Sequence, residues 1–402
     1  MQNRRSRVIW LIAIGVAFVF ILDPFDLFDT SNLPEVEVNR DVEQLMEEYL
    51  LSAPQASSYV VDLFADRDIV LMGETGYIKE QLDFLAALIP ELDAAGIRHL
   101  GFQYANPEQQ DEIDALVSGS SFDETLANRI LFEHMVIMGY EELRNVFRAA
   151  WQVNRGKAED ADRFRIVGIG YTPDYSLIQD EDDVNDPEIL RRIFEQGVED
   201  EIMARNVIRM LVEPGHKAVV YTRLRHAFTG FRQVEYERQM DESGFPNQKR
   251  MGNTLADRLG NRVATVVFHS PVHDSRSRIG YGYPVGGLME RAFERLSDGR
   301  SSAGFTTSAS PYADAPITSD VLTEGLEEDL TLGRFTDGYL LISEIDAYSP
   351  LTPIPGFISE ANLDEARSEF PGADPGDVGA ADLNEFIAGT AQSMEQILNE
   401  FE

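Results

Sequence analysis

Strands and helices alternate between Asp68 and Leu296, which predicts an α/β fold with a mainly parallel central sheet flanked by helices. Two further observations support that class. The run Ile69-Val70-Leu71-Met72 is continuously apolar rather than alternating, as in a strand covered on both faces. The helix that follows carries Ile78, Leu82, Leu85, Ile89 and Leu92 at spacings of three and four, a stripe suited to lying on a sheet.

The chain opens with Arg4, Arg5 and Arg7, then fifteen almost wholly apolar residues, Val8 to Leu22. At about 1.5 Å per residue that run spans roughly 22 Å, so it reaches across a bilayer core only with help from Phe25, Leu27 and Phe28. Asp23-Pro24-Phe25-Asp26 offers no small-residue cleavage pattern, which favours an uncleaved N-terminal transmembrane helix over a removed signal peptide. The arginines keep the amino terminus in the cytoplasm and place the remainder outside it. The domain plan is therefore an anchor over 1–22, an acidic linker over 23–40, an α/β domain over 41–345 and a C-terminal extension over 346–402.

Within the α/β region, Val42 to Leu51 and Ser57 to Phe64 have helical spacing. A first strand covers Asp68 to Met72, and Gly73-Glu74-Thr75-Gly76 forms the turn out of it. Gly96 ends the next helix, and Ile97 to Phe102 is the second strand. Pro107 to Val117, Phe122 to Gly139 and Tyr140 to Val153 read as helices, and Phe164 to Ile169 as the third strand. Asp186-Pro187 is a helix start that joins a capping side chain to proline at the first helical position, and the spacing carries that helix to Glu213. Strands four and five are Ala218 to Tyr221 and Val263 to Phe268. Gly286 to Leu296 is helical, Ser297 to Gly338 shows no clear period, and Tyr339 to Ile342 is a late strand. Leu383, Phe386, Ile387, Met394, Ile397 and Leu398 mark a closing amphipathic helix over Ala381 to Glu402.

Composition excludes several classes. The 402 residues hold 70 acidic and 34 basic side chains, a formal charge of −36, and that field repels nucleic acid and anionic surfaces. The lysine-poor, arginine-biased balance fits a salty medium and GC-rich coding equally well. The absence of cysteine removes disulfides, thiol catalysis and thiolate metal sites. There is no G-x-S-x-G elbow, no phosphate-binding loop, no H-E-x-x-H helix and no dinucleotide fingerprint.

The five predicted strands end in Glu74, Gln103, Tyr171, Arg223 to His226, and His269. In a parallel sheet these ends share one edge, where ligands bind. Glu74 there is a general base, a metal ligand or a cap for the following helix, because burial at a strand end raises a carboxylate pKa toward neutrality. His226 is a base or ligand, or a partner for carboxylates. Glu74 and His226 are expected to face each other across the crevice. Gln103 orients a ligand through its amide or is a satisfied core group, and Arg223 and Arg225 are ligand contacts. Glu74, His226 and His269 would make a two-histidine, one-carboxylate metal site. Tyr104 and Tyr171 are phenolate ligands for haem iron or packed tyrosines with wet hydroxyls.

Leu71-Met72-Gly73-Glu74 before a helix, Leu100-Gly101-Phe102-Gln103-Tyr104 and Gln109-Gln110 together resemble the ChaN-like branch of the Tiki/erythromycin-esterase superfamily. Asp200-Glu201-Ile202-Met203-Ala204 resembles that superfamily's D-x-x-M-A helix, and Ala218-Val219-Val220-Tyr221 with Arg225-His226-Ala227 its strand ending in histidine. The likeness covers roughly residues 66 to 270. It implies an α/β fold with a polar site at the strand ends, in a family containing haem binders, a macrolide esterase and metal-dependent peptidases. Its pattern has a histidine shortly after Gly-Glu and a glutamate at the next strand end, where this chain has Gly76 and Gln103. Two readings follow: a membrane-anchored extracytoplasmic domain binding a small ligand or cofactor of haem or iron type, with haem or a divalent metal as cofactor candidates, or an ester or amide hydrolase using Glu74 and His226.

The anchor predicts that mass spectrometry of the membrane fraction finds the chain intact from its amino terminus. A mature terminus near Thr30 would show instead that the segment is removed.

Overall fold

The computed structural model describes residues 40–401 apart from 159–160, 175–176, 179–185, 276, 278, 295–301, 327–328 and 370–377. The expected membrane helix Val8–Leu22 and the linker up to residue 39 lie outside the described residues. Among the described residues no helix is long and apolar enough to cross a membrane.

The strands are β1 (Ile69–Glu74), β2 (His99–Phe102), β3 (Arg165–Gly168), β4 (Ala218–Arg223), β5 (Val263–Phe268), β6 (Val272–His273), β7 (Tyr281–Gly282), β8 (Ala303–Thr306) and β9 (Gly338–Leu341). Seven of them form one sheet in the order β3-β2-β4-β1-β5-β9-β8. Every pairing in it is parallel except that of β8 with β9. β6 and β7 form a separate antiparallel hairpin.

The continuous apolar run of β1 has a direct cause. Successive side chains point to opposite faces, so Val70 and Met72 join a core with Leu82, Leu85 and Ile89 of helix Lys79–Ala94. Ile69 and Leu71 join a second core with Met203, Val207 and Leu255 on the opposite layer. Helix Ala380–Asn399 sends Leu383, Ile387 and Ala391 into the first core. Its last turns place Met394, Ile397 and Leu398 against Ile78, Tyr281 and Ile345, beside the carboxyl edge.

Three expectations are corrected. The helix begun at Asp186 is capped as read, its carboxylate accepting from the Glu188 and Ile189 amides at 2.7 and 3.3 Å. It does not run to Glu213, however. It breaks into Pro187–Ile193, Glu199–Val207 and a wide π-helical turn over Ile208–Val212, because Gly197 at φ +119 leaves the helical region. Helix Glu124–His134 is likewise shorter than Phe122 to Gly139, since Met135 is extended. The stretch without a period contains β8, whose pairing with β9 is a long-range contact that local spacing does not report.

Leu85 is fully buried in the larger core. Leu85→Ala should lower unfolding free energy by about 2–5 kcal/mol in a denaturant titration, and a loss below about 1 kcal/mol would mean that this helix is not packed as described.

Candidate functional site

β1 leaves the sheet toward β2 on one side and β5 leaves toward β9 on the other, so the chain diverges above the end of β1. Crevices open at such points beyond the carboxyl ends of strands. Glu74 is the last residue of β1, and its partner in the parallel ladder with β4 is Arg223. The sheet register alone therefore sets a carboxyl and a guanidinium side by side.

The turn after Glu74 is held from several sides. Gln81 Oε1 accepts from the Thr75 amide at 3.1 Å, and the Thr75 and Ser270 hydroxyls are hydrogen-bonded. Gly76 and Tyr77 both have positive φ, +93 and +60, and Tyr77 is one of two non-glycine residues in that region among the described residues. Left-handed backbone at a side-chain-bearing residue costs about 1–2 kcal/mol and persists where surrounding structure enforces it. Its effect here is to set the Tyr77 ring 5.4 Å from the Arg223 guanidinium. Glu74 does not cap helix Lys79–Ala94, whose N-cap is Ile78.

Glu74 is 3% exposed and accepts a short hydrogen bond from the Tyr104 hydroxyl. Burial pushes its carboxyl pKa up, against the opposing pull of Arg223 and of that hydrogen bond. Glu74, Arg223 and Arg225 face a cavity of about 310 Å³, together with Arg250, Tyr236 and His273. The β6–β7 hairpin supplies one wall through Val272 and Tyr281.

His226 is placed differently from the expectation. It follows β4 in the short helix Leu224–Ala227 and is 1% exposed. Its Nδ1 lies 2.8 Å from Asp200 Oδ1, while Nε2 accepts from Arg225 Nε at 3.0 Å. The carboxylate that His226 faces is thus Asp200, not Glu74. Asp200 also accepts from the Met251 amide at 2.8 Å, from Arg250 at 3.0 Å and from the Tyr236 hydroxyl at 3.3 Å. Burial would raise its pKa, but His226 and Arg250 outweigh that and hold the carboxyl well below the usual range. Asp200 was visible only as the first residue of the D-x-x-M-A helix. Arg250 and Tyr236, whose ring lies 3.5 Å under that guanidinium, carry no sequence signal.

Gln103 is fully employed behind the cavity. Its Oε1 accepts from Thr222 Oγ1 at 2.6 Å and from the Arg223 amide at 2.9 Å, and its Nε2 donates to Glu199 at 3.1 Å. A glutamate at this position would set a carboxylate against Glu199, which explains the amide. Tyr171 donates to the Ile193 carbonyl at 3.0 Å, so both tyrosines read as iron ligands have committed hydroxyls. His269 lies elsewhere, with Nδ1 2.8 Å from the Tyr339 hydroxyl and Nε2 2.8 Å from Glu290, the latter an ion-pair approach without hydrogen-bond alignment. Glu74, His226 and His269 therefore do not converge, and among the described residues no cluster of three or more potential ligands could hold a metal ion. The residues read as ligands for iron or a divalent metal do not fit that role. One further buried histidine went unread: His134, whose Nδ1 lies 2.8 Å from Asn106 and whose pKa burial lowers to about 4.

No family model and no curated protein matches the sequence. Solved structures similar to this chain include a succinoglycan biosynthesis protein, at 9% identity and a TM-score of 0.49, with 78% of this chain and 98% of that one covered. An erythromycin esterase variant in its open conformation is similar at 11% identity and a TM-score of 0.43, covering 78% and 97%. ChaN of Campylobacter jejuni, described with cofacial haem, is similar at 12% identity and a TM-score of 0.32, covering 52% and 84%. The last two bear names of the superfamily that the sequence motifs resemble. Values this low carry neither residue correspondences nor an activity to this chain.

The raised pKa of Glu74 has a consequence for stability. A carboxyl that is harder to ionise folded than unfolded contributes fully below its ordinary pKa of 4.5, and that contribution is lost as pH rises through the higher folded value. The denaturation midpoint of the wild type should therefore fall, relative to Glu74→Gln, as pH rises above 4.5. Parallel pH profiles for the two proteins would contradict the assignment.

Proposed function

We propose that this chain is a ChaN-like small-ligand-binding domain, held at a membrane by Val8–Leu22 with its bulk extracytoplasmic, whose ligand occupies the strand-end cavity. The anchor and the location rest on the sequence alone. The binding reading rests on one observation. Glu74, Arg223, Arg225 and Arg250 face a cavity of about 310 Å³, while the histidine that would complete a catalytic pair is withdrawn from it. Ester or amide hydrolysis by Glu74 and His226 needs both groups at one reacting atom. His226 instead commits both ring nitrogens, to Asp200 and Arg225. What remains is a concave site, largely apolar with a few converging polar groups, which is the usual form of a small-molecule pocket.

Leu322 stands on the cavity wall. With the full chain, a panel of small metabolites should contain compounds that raise the thermal midpoint, a ligand at a hundredfold excess over its Kd stabilising by about 2.7 kcal/mol. Leu322→Trp, which fills part of the space, should abolish that shift. An equal shift in the variant would place binding elsewhere. Turnover of ester probes that disappears in Glu74→Gln would favour the hydrolase.

A further inference from the structure

Resting on the cavity as a ligand site, we infer that its ligand is an amphipathic anion, with an acidic head held by Arg223 beside Glu74 and an apolar body against the β6–β7 hairpin.

The charges around the cavity do not cancel evenly. Arg225 lies 3.5 Å from Glu199, and Arg250 lies 3.0 Å from Asp200. Arg223 is different. Among the described residues it is in no ion pair, and its hydrogen-bond partners are two hydroxyls, that of Tyr77 at 3.4 Å and that of Tyr104, which leaves donors over on a group that has five. It is half-buried against the Tyr77 ring, so water compensates it only in part. Its ladder partner Glu74 is the obvious counterion, yet burial favours the uncharged carboxyl. The groups facing Glu74 are Arg223 and Arg225 from β4 and the turn after it, Tyr104 beyond β2, and Tyr221 in β4. None adds a negative charge at neutral pH. With the Glu74 carboxyl taking the Tyr104 hydroxyl and burial opposing its ionisation, Arg223 keeps guanidinium donors for an incoming anion. They fit a carboxylate, sulfonate or phosphate oxygen pair.

The rest of the enclosure is of another kind. Pro271, Val272, Leu322 and the ring of Tyr281 form a wall without formal charge. Besides Glu74, the two acidic residues on the lining do not oppose the head. Glu235 is tied to Arg238 and Gln239, and Glu324 is exposed to solvent. A purely polar anion would leave the apolar wall wet, and an apolar ligand would leave Arg223 without an anion.

Calorimetric titration of the full chain with naphthalene sulfonate and with naphthalene sulfonamide separates head from body, because the sulfonamide keeps the body and replaces one anionic oxygen of the head with a neutral NH2. The sulfonate should bind on the order of tenfold more tightly, the margin of one charge-assisted contact, and Arg223→Met should erase the difference. Sulfonate affinity should also fall as pH rises above 4.5, while Glu74→Gln makes it flat, a response that loss of packing would not produce. Equal binding of both probes by the wild type overturns the inference without any variant, and leaves the cavity standing as a ligand site. A preference that survives Arg223→Met overturns it as well. Absence of binding by both probes removes the ligand site itself.

Discussion

The carboxylate of Asp200 is the point on which this edge of the molecule depends. It is 2% exposed and takes donors from His226, the Met251 amide, Arg250 and Tyr236. Those partners lie on three segments, the short helix after β4, the Arg250-Met251 start of helix Met251–Leu259 and helix Val234–Glu242, and helix Glu199–Val207, which carries Asp200, is a fourth. A buried charge is tolerable only when donors surround it. Four segments otherwise free to separate are thus required to meet at one point. The same requirement fixes Arg250 as part of the cavity wall and turns His226 inward.

Glu74 and Arg223 owe their juxtaposition to a different constraint, strand register. They are opposite one another because β1 and β4 pair in parallel from Ile69 with Ala218 onward. Gly73 makes that end compact, since a Cβ there would stand 3.1 Å from Ala227 Cβ and from Leu224 Cδ1. The Gly-Glu pair therefore combines two needs: glycine lets the short helix after β4 close on β1, and the next residue is delivered to the cavity floor. Tyr104 and Gln103, from the end of β2, lie behind. The first takes hold of Glu74, and the second of the β4 backbone.

Much of the fold was legible because it is local. Continuous apolar runs marked the parallel strands, three-and-four spacing marked the helices, and Asp186-Pro187 and Gly96 marked boundaries. β8 was not legible, because it joins the sheet through β9, some thirty-five residues away in sequence. At the site, Glu74, Arg223 and Arg225, read from the strand ends, line one cavity. The pairing of Glu74 with His226 failed for a physical reason. Two strand ends on one edge share a neighbourhood, but which carboxylate claims an imidazole depends on the helix that packs above. Asp200, the second residue of helix Glu199–Val207, is the carboxylate that reaches the ring. Nothing in the residues around Tyr236 or Arg250 foretold their part, since their roles exist only once four segments have met.

A cationic spot in a chain of formal charge −36 sets an opposition between distances. Beyond a Debye length of about 10 Å at 0.1 M salt, an approaching anion meets the net field, and its association is slowed. Inside the cavity the balance reverses, because Arg223 acts at contact distance beside low-dielectric walls that weaken its competition with water. Raising salt screens the first effect far more than the second. An acidic surface and an arginine-floored pocket are therefore least in conflict in a concentrated electrolyte, where the long-range penalty disappears and the short-range attraction remains. The arginine-biased, lysine-poor composition fits the same condition. Arginine keeps its charge when partly desolvated and meets a planar acid with two parallel donors, which a lysine at position 223 would not do.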